Sequence, residues 1–434
     1  REASDCSPPY DALVNSNQLP EDPFDDESKD PFAQLNHLFE TLDQQGTGGF
    51  DQLSNLDPTA QAREIARSIA AEGQPEANVD PVMRMEYEQL ARVAQLQVEN
   101  HTGLLINRGQ PLVIEPLTRG AWAERSITAL EPLLTKMTSA LNQDLPENFT
   151  LDLPEEIAAQ LPPELRQSLG KMFSTFAPMM TSITTGTMVG RLAQRSLGSY
   201  DLPIPRADDH LLLVAPNIEE FGNDWSLRSE DLRLWVCLHE TLHHALFGIP
   251  HVRKAISDLL SRHAAGFQND PDTLQRTLEE SGIDLQGDPE NPPDFSQMLD
   301  PETILGAVQS PDQKALLPYL EAQVAAIIGY VDHLMDEIGT GLIANYPMIT
   351  EALRRRRVET HEADRFVEKI LGLNLTQDQV DRGASFVEGI IQWGSHNELN
   401  RLWEEARFLP TPNEIDNPRL WLARISLPED PTKN

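Results

Sequence analysis

The stretch "LWVCLHETLHHAL", residues 234–246, contains three histidines, His239, His243 and His244, and one glutamate on one predicted helix. His239 and His243 are four residues apart, a spacing that places their side chains one turn apart on the same helical face. Glu240 lies beside them, where a carboxylate can take a proton from a water that a metal activates. The H-E-x-x-H pattern is typical of zinc-binding helices, so His239 and His243 are predicted ligands and Glu240 is the predicted general base.

The residues around the motif support this interpretation. Ser229, followed by two acids, favours a helix start, and Gly248 followed by Pro250 favours its end. At about 100° per residue, both histidines share a stripe with aliphatic residues and face the interior. Cys237 cannot share that face, which predicts a buried, inert thiol. The alternative is that the two histidines are ordinary core side chains.

A catalytic zinc normally has three protein ligands, so one more must come from elsewhere in the chain. The stretch "AIIGYVDHLMDEIG", residues 326–339, offers Asp332 and Asp336 at the edge of a buried helical stripe. Geometry favours Asp332 as the third ligand, with Asp336 orienting a ligand histidine through its free ring nitrogen. The alternatives are that both acids are solvated, that the protein supplies only two ligands, or that His333 or His251 is the third.

Composition restricts the class of protein and its partners. The chain has 434 residues, 39% of them hydrophobic, and a formal net charge of -35. Such a charge argues against nucleic acid or an anionic membrane as the main partner. Two cysteines, Cys6 and Cys237, cannot form a disulfide framework, so a cytoplasmic location is expected. Because the chain begins with Arg1, a removed leader remains possible.

The distribution of residues predicts one large domain. Residues 1–31 are rich in Pro, Asp and Ser, which predicts a flexible N-terminal arm. Residues 32–425 are expected to form a single, mostly helical domain, and 426–434 a tail. Within the domain, 266–311 is an acidic, Pro-rich insertion that is either a surface loop or a lid.

Apolar periodicity predicts the individual elements. Helical patterns recur between residues 57 and 142, and a long helix is expected near 316–338, ending in a break at Gly339 and Gly341. The short apolar run "HLLLVAP", residues 210–216, predicts a strand just before the histidine helix. A GxxxG pattern at 186–190 predicts a close contact in a soluble core.

Several blocks of sequence resemble a zincin-type hydrolase family of bacteria. Its members are described as metalloproteases or as proteins associated with deazaflavin coenzyme biosynthesis, with no assigned reaction. The similarity spans roughly residues 110–425 and rests on these blocks, in order: "LLLVAPNIEEF", "LWVCLHETLHHALFGIPHVR", "IIGYVDHLMDEIG", "LRRRR", "LGLNLTQDQVDRGASFVEGI" and "LPTPNEIDNPRLWLARI".

The resemblance implies a mainly α, multi-helix zincin-like domain with a small β-sheet next to the H-E-x-x-H helix. It implies the same roles for His239, Glu240 and His243. Relatives often have Glu-Gly where this chain has Ile328-Gly329, and that glutamate looks like a third metal ligand. Because the position is apolar here, Asp332, one turn further on, is the nearest carboxylate that could replace it.

Together these observations predict a zinc-dependent hydrolase, most simply a peptidase acting on a peptide or a small amide. Zinc would polarise a carbonyl and Glu240 would activate the attacking water. The alternative is a non-catalytic binding or scaffold protein that keeps the fold with a weak or incomplete metal site, and Ile328 is the residue that favours it.

Overall fold

The computed structural model describes residues 57–143, 182–183, 185–206, 209–267, 310–358, 368 and 370–427. The predicted arm at 1–31 and nearly all of the predicted insertion at 266–311 lie outside these ranges. Among the described helices, none has both the length and the apolar character that crossing a bilayer requires.

The described chain is mainly α-helical, as predicted. The helices are, in chain order, α1 Pro58–Ala70, α2 Pro81–Thr102, α3 Arg119–Gln143, α4 185–193, α5 Ala215–Asp224, α6 Ser229–Gly248, α7 Pro250–Ala265, α8 Pro311–Leu342, α9 Tyr346–Val358, α10 Gln377–Trp393, α11 His396–Arg401, α12 Pro412–Ile415 and α13 Pro418–Ile425. The strands are β1 Ile114–Leu117 and β2 Leu211–Val214, and 3-10 turns occupy Ile106–Gly109, Ser199–Asp201 and Ala406–Phe408.

The two strands form a small parallel sheet. Ile114 pairs with Leu211 at one end and Leu117 with Val214 at the other. All four residues of β2 are buried, which agrees with the apolar run in the sequence. The sequence did not indicate β1, because its four residues alternate between buried and half-buried positions and include a proline. β2 packs against α6, so the small sheet lies next to the H-E-x-x-H helix, as expected.

Small residues allow close helix contacts on the N-terminal side of the domain. A Cβ atom added to Gly186 would lie 2.7 Å from the carbonyl oxygen of Ala62, and one added to Gly190 would lie 2.9 Å from that of Ala66. Both carbonyls belong to α1, which is itself packed on α3. The GxxxG pattern of α4 therefore makes the core contact that the sequence predicted.

Glycines also set the distance between α8 and α10, the two helices with the most extensive contact. A Cβ atom on Gly383 would lie 2.1 Å from the carbonyl oxygen of Ala325, and one on Gly329 would lie 2.3 Å from the backbone of Gly383. Real Cβ atoms do not approach other atoms so closely, so the two backbones touch because neither position has a side chain.

The break expected at Gly339 and Gly341 is not observed, because α8 continues to Leu342. Gly339 remains helical and its missing side chain makes room for the ring of Tyr346, which lies 2.3 Å from where a Cβ atom would be. The helix ends at Ile343, whose backbone is extended. Packing against α9 therefore explains why glycine occurs at position 339, where helix propensity alone predicts a helix end.

Candidate metal centre

The two motif histidines lie next to each other inside the protein. Their ring centroids are 4.5 Å apart, and His243 is 2% exposed. Nδ1 of His243 is 3.1 Å from the carbonyl oxygen of His239. Because a carbonyl only accepts, Nδ1 is the donor and Nε2 keeps a free lone pair. The ring of His239 stacks on Trp235 at 5.0 Å, so packing fixes the orientation of both imidazoles.

Burial favours the neutral form of both rings. It lowers the pKa of His239 from 6.5 to about 4 and that of His243 to about 3, and the neighbouring His239 adds to the second shift. The charge of Asp332 acts in the opposite direction on both rings, so it lies within electrostatic reach of each. Since a metal binds neutral imidazole, the pair is ready to act as ligands at neutral pH.

Glu240 is buried beside the histidines, with 1% of its surface exposed. Its Oε2 accepts a hydrogen bond from the backbone N–H of Tyr200 (3.0 Å), and its Oε1 is 3.3 Å from Nδ1 of His239. The carboxylate packs so tightly on Gly198 that a Cβ atom there would lie 2.4 Å from Cδ of Glu240. Burial raises the pKa of the Glu240 carboxyl well above its usual value, and the charge of Asp201 adds to this.

The segment that covers Glu240 carried no recognisable motif in the sequence. The ring of Tyr200 stacks on His243 at 5.7 Å, and its hydroxyl is 3.2 Å from Nδ1 of His244. The carboxylate of Asp201 accepts hydrogen bonds from the N–H groups of Leu197 and Gly198. Residues about forty positions before the motif therefore hold the predicted general base in place, and no local sequence pattern predicts this contact.

The motif residues open into a cleft of about 180 Å³. One wall is α6, and the facing wall comes from α8, α9 and α10. Its lining combines apolar and charged side chains: Leu192, Arg195, Ser196, Leu197, Tyr200, Asp201, Leu202, Pro203, Trp235, Val236, His239, Glu240, His243, Ile328, Asp332, Leu353, Arg356, Arg357, Glu368, Leu375 and Val380. The predicted ligands and base thus share one cleft with the helix expected to supply the third ligand.

Asp332 reaches this cleft from α8, where it lies opposite the histidines. Its two carboxylate oxygens are 3.2 and 3.3 Å from the guanidinium of Arg357. Ile328, one turn earlier on the same helix, also lines the cleft and is buried. An apolar side chain therefore lies at this position of the cleft wall, and Asp332 is the α8 carboxylate that lines the same cleft.

The other residues considered for the site have different surroundings. Asp336 accepts a hydrogen bond from the hydroxyl of Tyr346 (2.8 Å), and among the described residues it makes none with His239 or His243. The predicted role of Asp336 in orienting one of the motif histidines therefore has no direct hydrogen bond to support it among the described residues. Neither His333 nor His251 is among the described residues that line the cleft.

The donor types suit zinc, since catalytic zinc sites combine imidazole nitrogens with a carboxylate oxygen. Within the described residues, the ligand atoms of His239, His243 and Asp332 do not all lie within 4.8 Å of one another, so these side chains would have to move closer together to bind one ion. Because Nδ1 of His243 donates to the carbonyl of His239, Nε2 is the nitrogen that would bind a metal. Glu240 is held by backbone N–H groups beside the ligands, so it can take up a proton without being a ligand itself.

Comparisons with known proteins identify the family. A family model described as zincin-like metallopeptidase matches residues 59–422. A crystal structure from Chloroflexus aurantiacus, described as a "putative hydrolase with a novel fold", superposes with a TM-score of 0.56 at 22% identity, covering 85% of this chain and 99% of the other. At that identity the similarity concerns the fold. The search of curated proteins gave no match. Because the family model spans most of the chain, the protein belongs to the zincin-like metallopeptidase family.

Proposed function

We propose that the protein is a zinc-dependent hydrolase that cleaves an amide bond in a peptide or a small amide. The observation that carries this proposal is the convergence of two neutral imidazoles and a buried glutamate on one cleft. Core histidines without a ligand role would need no such cleft, and membership of a zincin-like family implies a metal.

The proposed ligands are His239, His243 and Asp332. Asp332 is chosen because its charge acts on both imidazoles and its carboxylate lines the same cleft. The ion pair with Arg357 holds that carboxylate at the cleft. An aspartate is one methylene shorter than the relatives' glutamate, so α8 has to lie close to α6, and the two helices are in contact.

Zinc bound to these ligands would supply Lewis-acid chemistry, polarising the substrate carbonyl and making water more acidic. Glu240 accepts the proton from the attacking water and later passes it to the leaving nitrogen. The raised pKa of its carboxyl strengthens it as a proton acceptor. The N–H of Tyr200 holds the carboxylate in one orientation while this happens.

The cleft suits a small substrate that has both apolar and polar groups. Apolar side chains such as Trp235 and Leu353 lie beside Arg356 and Arg357, which are ion-paired with Asp201 and Asp332. A peptide or amide fits this combination of apolar and polar groups, whereas a nucleic acid would be repelled by a protein of net charge -35.

Three variants test the metal centre. In protein purified without added metal, elemental analysis should find one zinc equivalent fewer in His243→Ala than in the wild type or in Glu240→Gln. In a peptide-library assay, Glu240→Gln should have no turnover, because an amide cannot accept the proton. His101→Ala, which changes an exposed histidine of α2, should match the wild type in both measurements. Turnover by Glu240→Gln would eliminate the mechanism.

A second pair of variants tests the third ligand. Asp332→Ala should lower zinc affinity by orders of magnitude, measured by competition with a chelator. Unchanged affinity in Asp332→Ala would remove this residue from the ligand set. A gain of affinity in Ile328→Glu would then show that the site lacks a ligand at that position.

The apolar side chain of Ile328 in the cleft favours one rival function, a non-catalytic binding protein with a weak metal site. The two functions give different results in the same experiments. A binding protein would contain no zinc equivalent that His243→Ala removes, and it would show no turnover. A hydrolase would retain zinc and lose turnover only when Glu240 or a ligand is changed.

A further inference from the structure

We propose a second site for a divalent transition-metal ion such as Zn²⁺, formed by His333, Glu337 and His396 outside the cleft. One nitrogen of each imidazole and one carboxylate oxygen lie within 4.8 Å of one another. None of the three residues lines the cleft. The site is therefore separate from the one that holds His239 and His243, and it does not depend on the proposed hydrolase activity.

Two elements bring these ligands together. His333 and Glu337 are four residues apart on α8, so both project from the same helical face. His396 is the first residue of α11, which follows α10 after a short turn. Since α10 is packed along α8, the start of α11 is brought next to the exposed edge of α8. The imidazoles of His333 and His396 lie 5.5 Å apart, centroid to centroid.

The geometry is close to that of a metal site. Nε2 of His333 and Oε2 of Glu337 are 4.0 Å apart, whereas ligands about 2.1 Å from a tetrahedral zinc are separated by roughly 3.4 Å. Side chains that are 26% and 48% exposed have room for this small rotation. Moreover, Nε2 of His333 is buried and forms no hydrogen bond within the described residues. A metal would satisfy that nitrogen.

The charges around His333 favour a cation. Glu337 and Asp336 on α8 and Glu388 on α10 lie within electrostatic reach of the His333 ring. Three acids therefore face this imidazole from α8 and α10. Two histidines and a carboxylate are donors that zinc accepts, and water can complete the coordination.

A metal held in this way would link α8 to the start of α11. The link would restrain the C-terminal helices relative to the helix that carries Asp332. Zn²⁺ should therefore raise the midpoint of thermal unfolding of the full chain, since an ion bound only by the folded state stabilises it.

The test is zinc stoichiometry in the full chain after removal of metal with a chelator. Zn²⁺ is titrated against a chromophoric indicator, and bound metal is counted by elemental analysis. Wild type should bind one more equivalent than His396→Ala, and Glu337→Gln should also lose that equivalent. His396 and Glu337 are exposed, so both variants should fold. His101→Ala, an exposed histidine elsewhere, should retain the wild-type stoichiometry.

The two sites can be distinguished whatever happens at the cleft. If the cleft binds no zinc, the wild type should still bind one equivalent, which His396→Ala removes and His243→Ala does not. If His396→Ala and Glu337→Gln each bind as many zinc equivalents as the wild type and show the same thermal shift, the second site is overturned.

Discussion

Replacing Gly198 by alanine should displace Glu240, the proposed general base, without contacting a proposed metal ligand. A Cβ atom at this position would lie 2.4 Å from Cδ of Glu240 and 2.6 and 2.7 Å from its two oxygens. Backbone strain is not the reason, because Gly198 is extended, with φ -156° and ψ -163°. The destabilisation would come from a steric clash between the added methyl group and the buried carboxylate of Glu240.

The magnitude follows from what the carboxylate would lose. Ordinary contact begins at 3.4 Å, so Glu240 would have to move by about 1 Å. An exposed carboxylate could rotate away at little cost, but Glu240 is 1% exposed and is held by the N–H of Tyr200. Overpacking and a weakened hydrogen bond to a buried charge together predict a loss of about 2–4 kcal/mol in the free energy of unfolding.

Urea unfolding followed by tryptophan fluorescence measures this loss. Gly248→Ala is the matched control, because no atom lies within 4 Å of a Cβ added there, and it should be neutral or slightly stabilising. In a Glu240→Ala background the Gly198→Ala penalty should fall below about 1 kcal/mol, since the clashing carboxylate is gone. A penalty that persists in that background, or its absence in the single variant, would refute the reasoning.

The remaining predictions concern packing, acid stability and thiol reactivity. Gly383→Ala should destabilise the protein by about 3 kcal/mol or more in urea unfolding, because its Cβ would meet a backbone carbonyl of α8, whereas Gly341→Ala, which has open space, should not. In the metal-free protein, the folded pKa values of His239 and His243 lie below the ordinary 6.5. The stability that these buried neutral rings contribute is therefore complete above pH 6.5 and is lost as the pH falls towards 4 and 3. Urea unfolding midpoints measured at several pH values should show this loss. Cys237 is buried and its thiol pKa is raised by burial, so peptide mapping should find it unalkylated until the protein unfolds.

Features that depend only on residues close together in the chain could be predicted from the sequence alone. The four-residue spacing of His239 and His243 places both rings on one face of any helix, and α6 has the predicted ends. The buried strand β2 and the long helix α8 followed from apolar periodicity. Helical and strand periods are properties of a short stretch of backbone, so a short stretch of sequence determines them.

Tertiary structure alone decided which distant residues meet. It placed the N–H of Tyr200 on Glu240, paired Arg357 with Asp332, and gave Asp336 a tyrosine as its partner. It also directed His333 away from the cleft, towards His396. Each of these contacts joins different elements, and its geometry depends on how closely those elements pack. That closeness is fixed by glycine contacts such as the one between α8 and α10, where the absence of a side chain matters only once two helices meet.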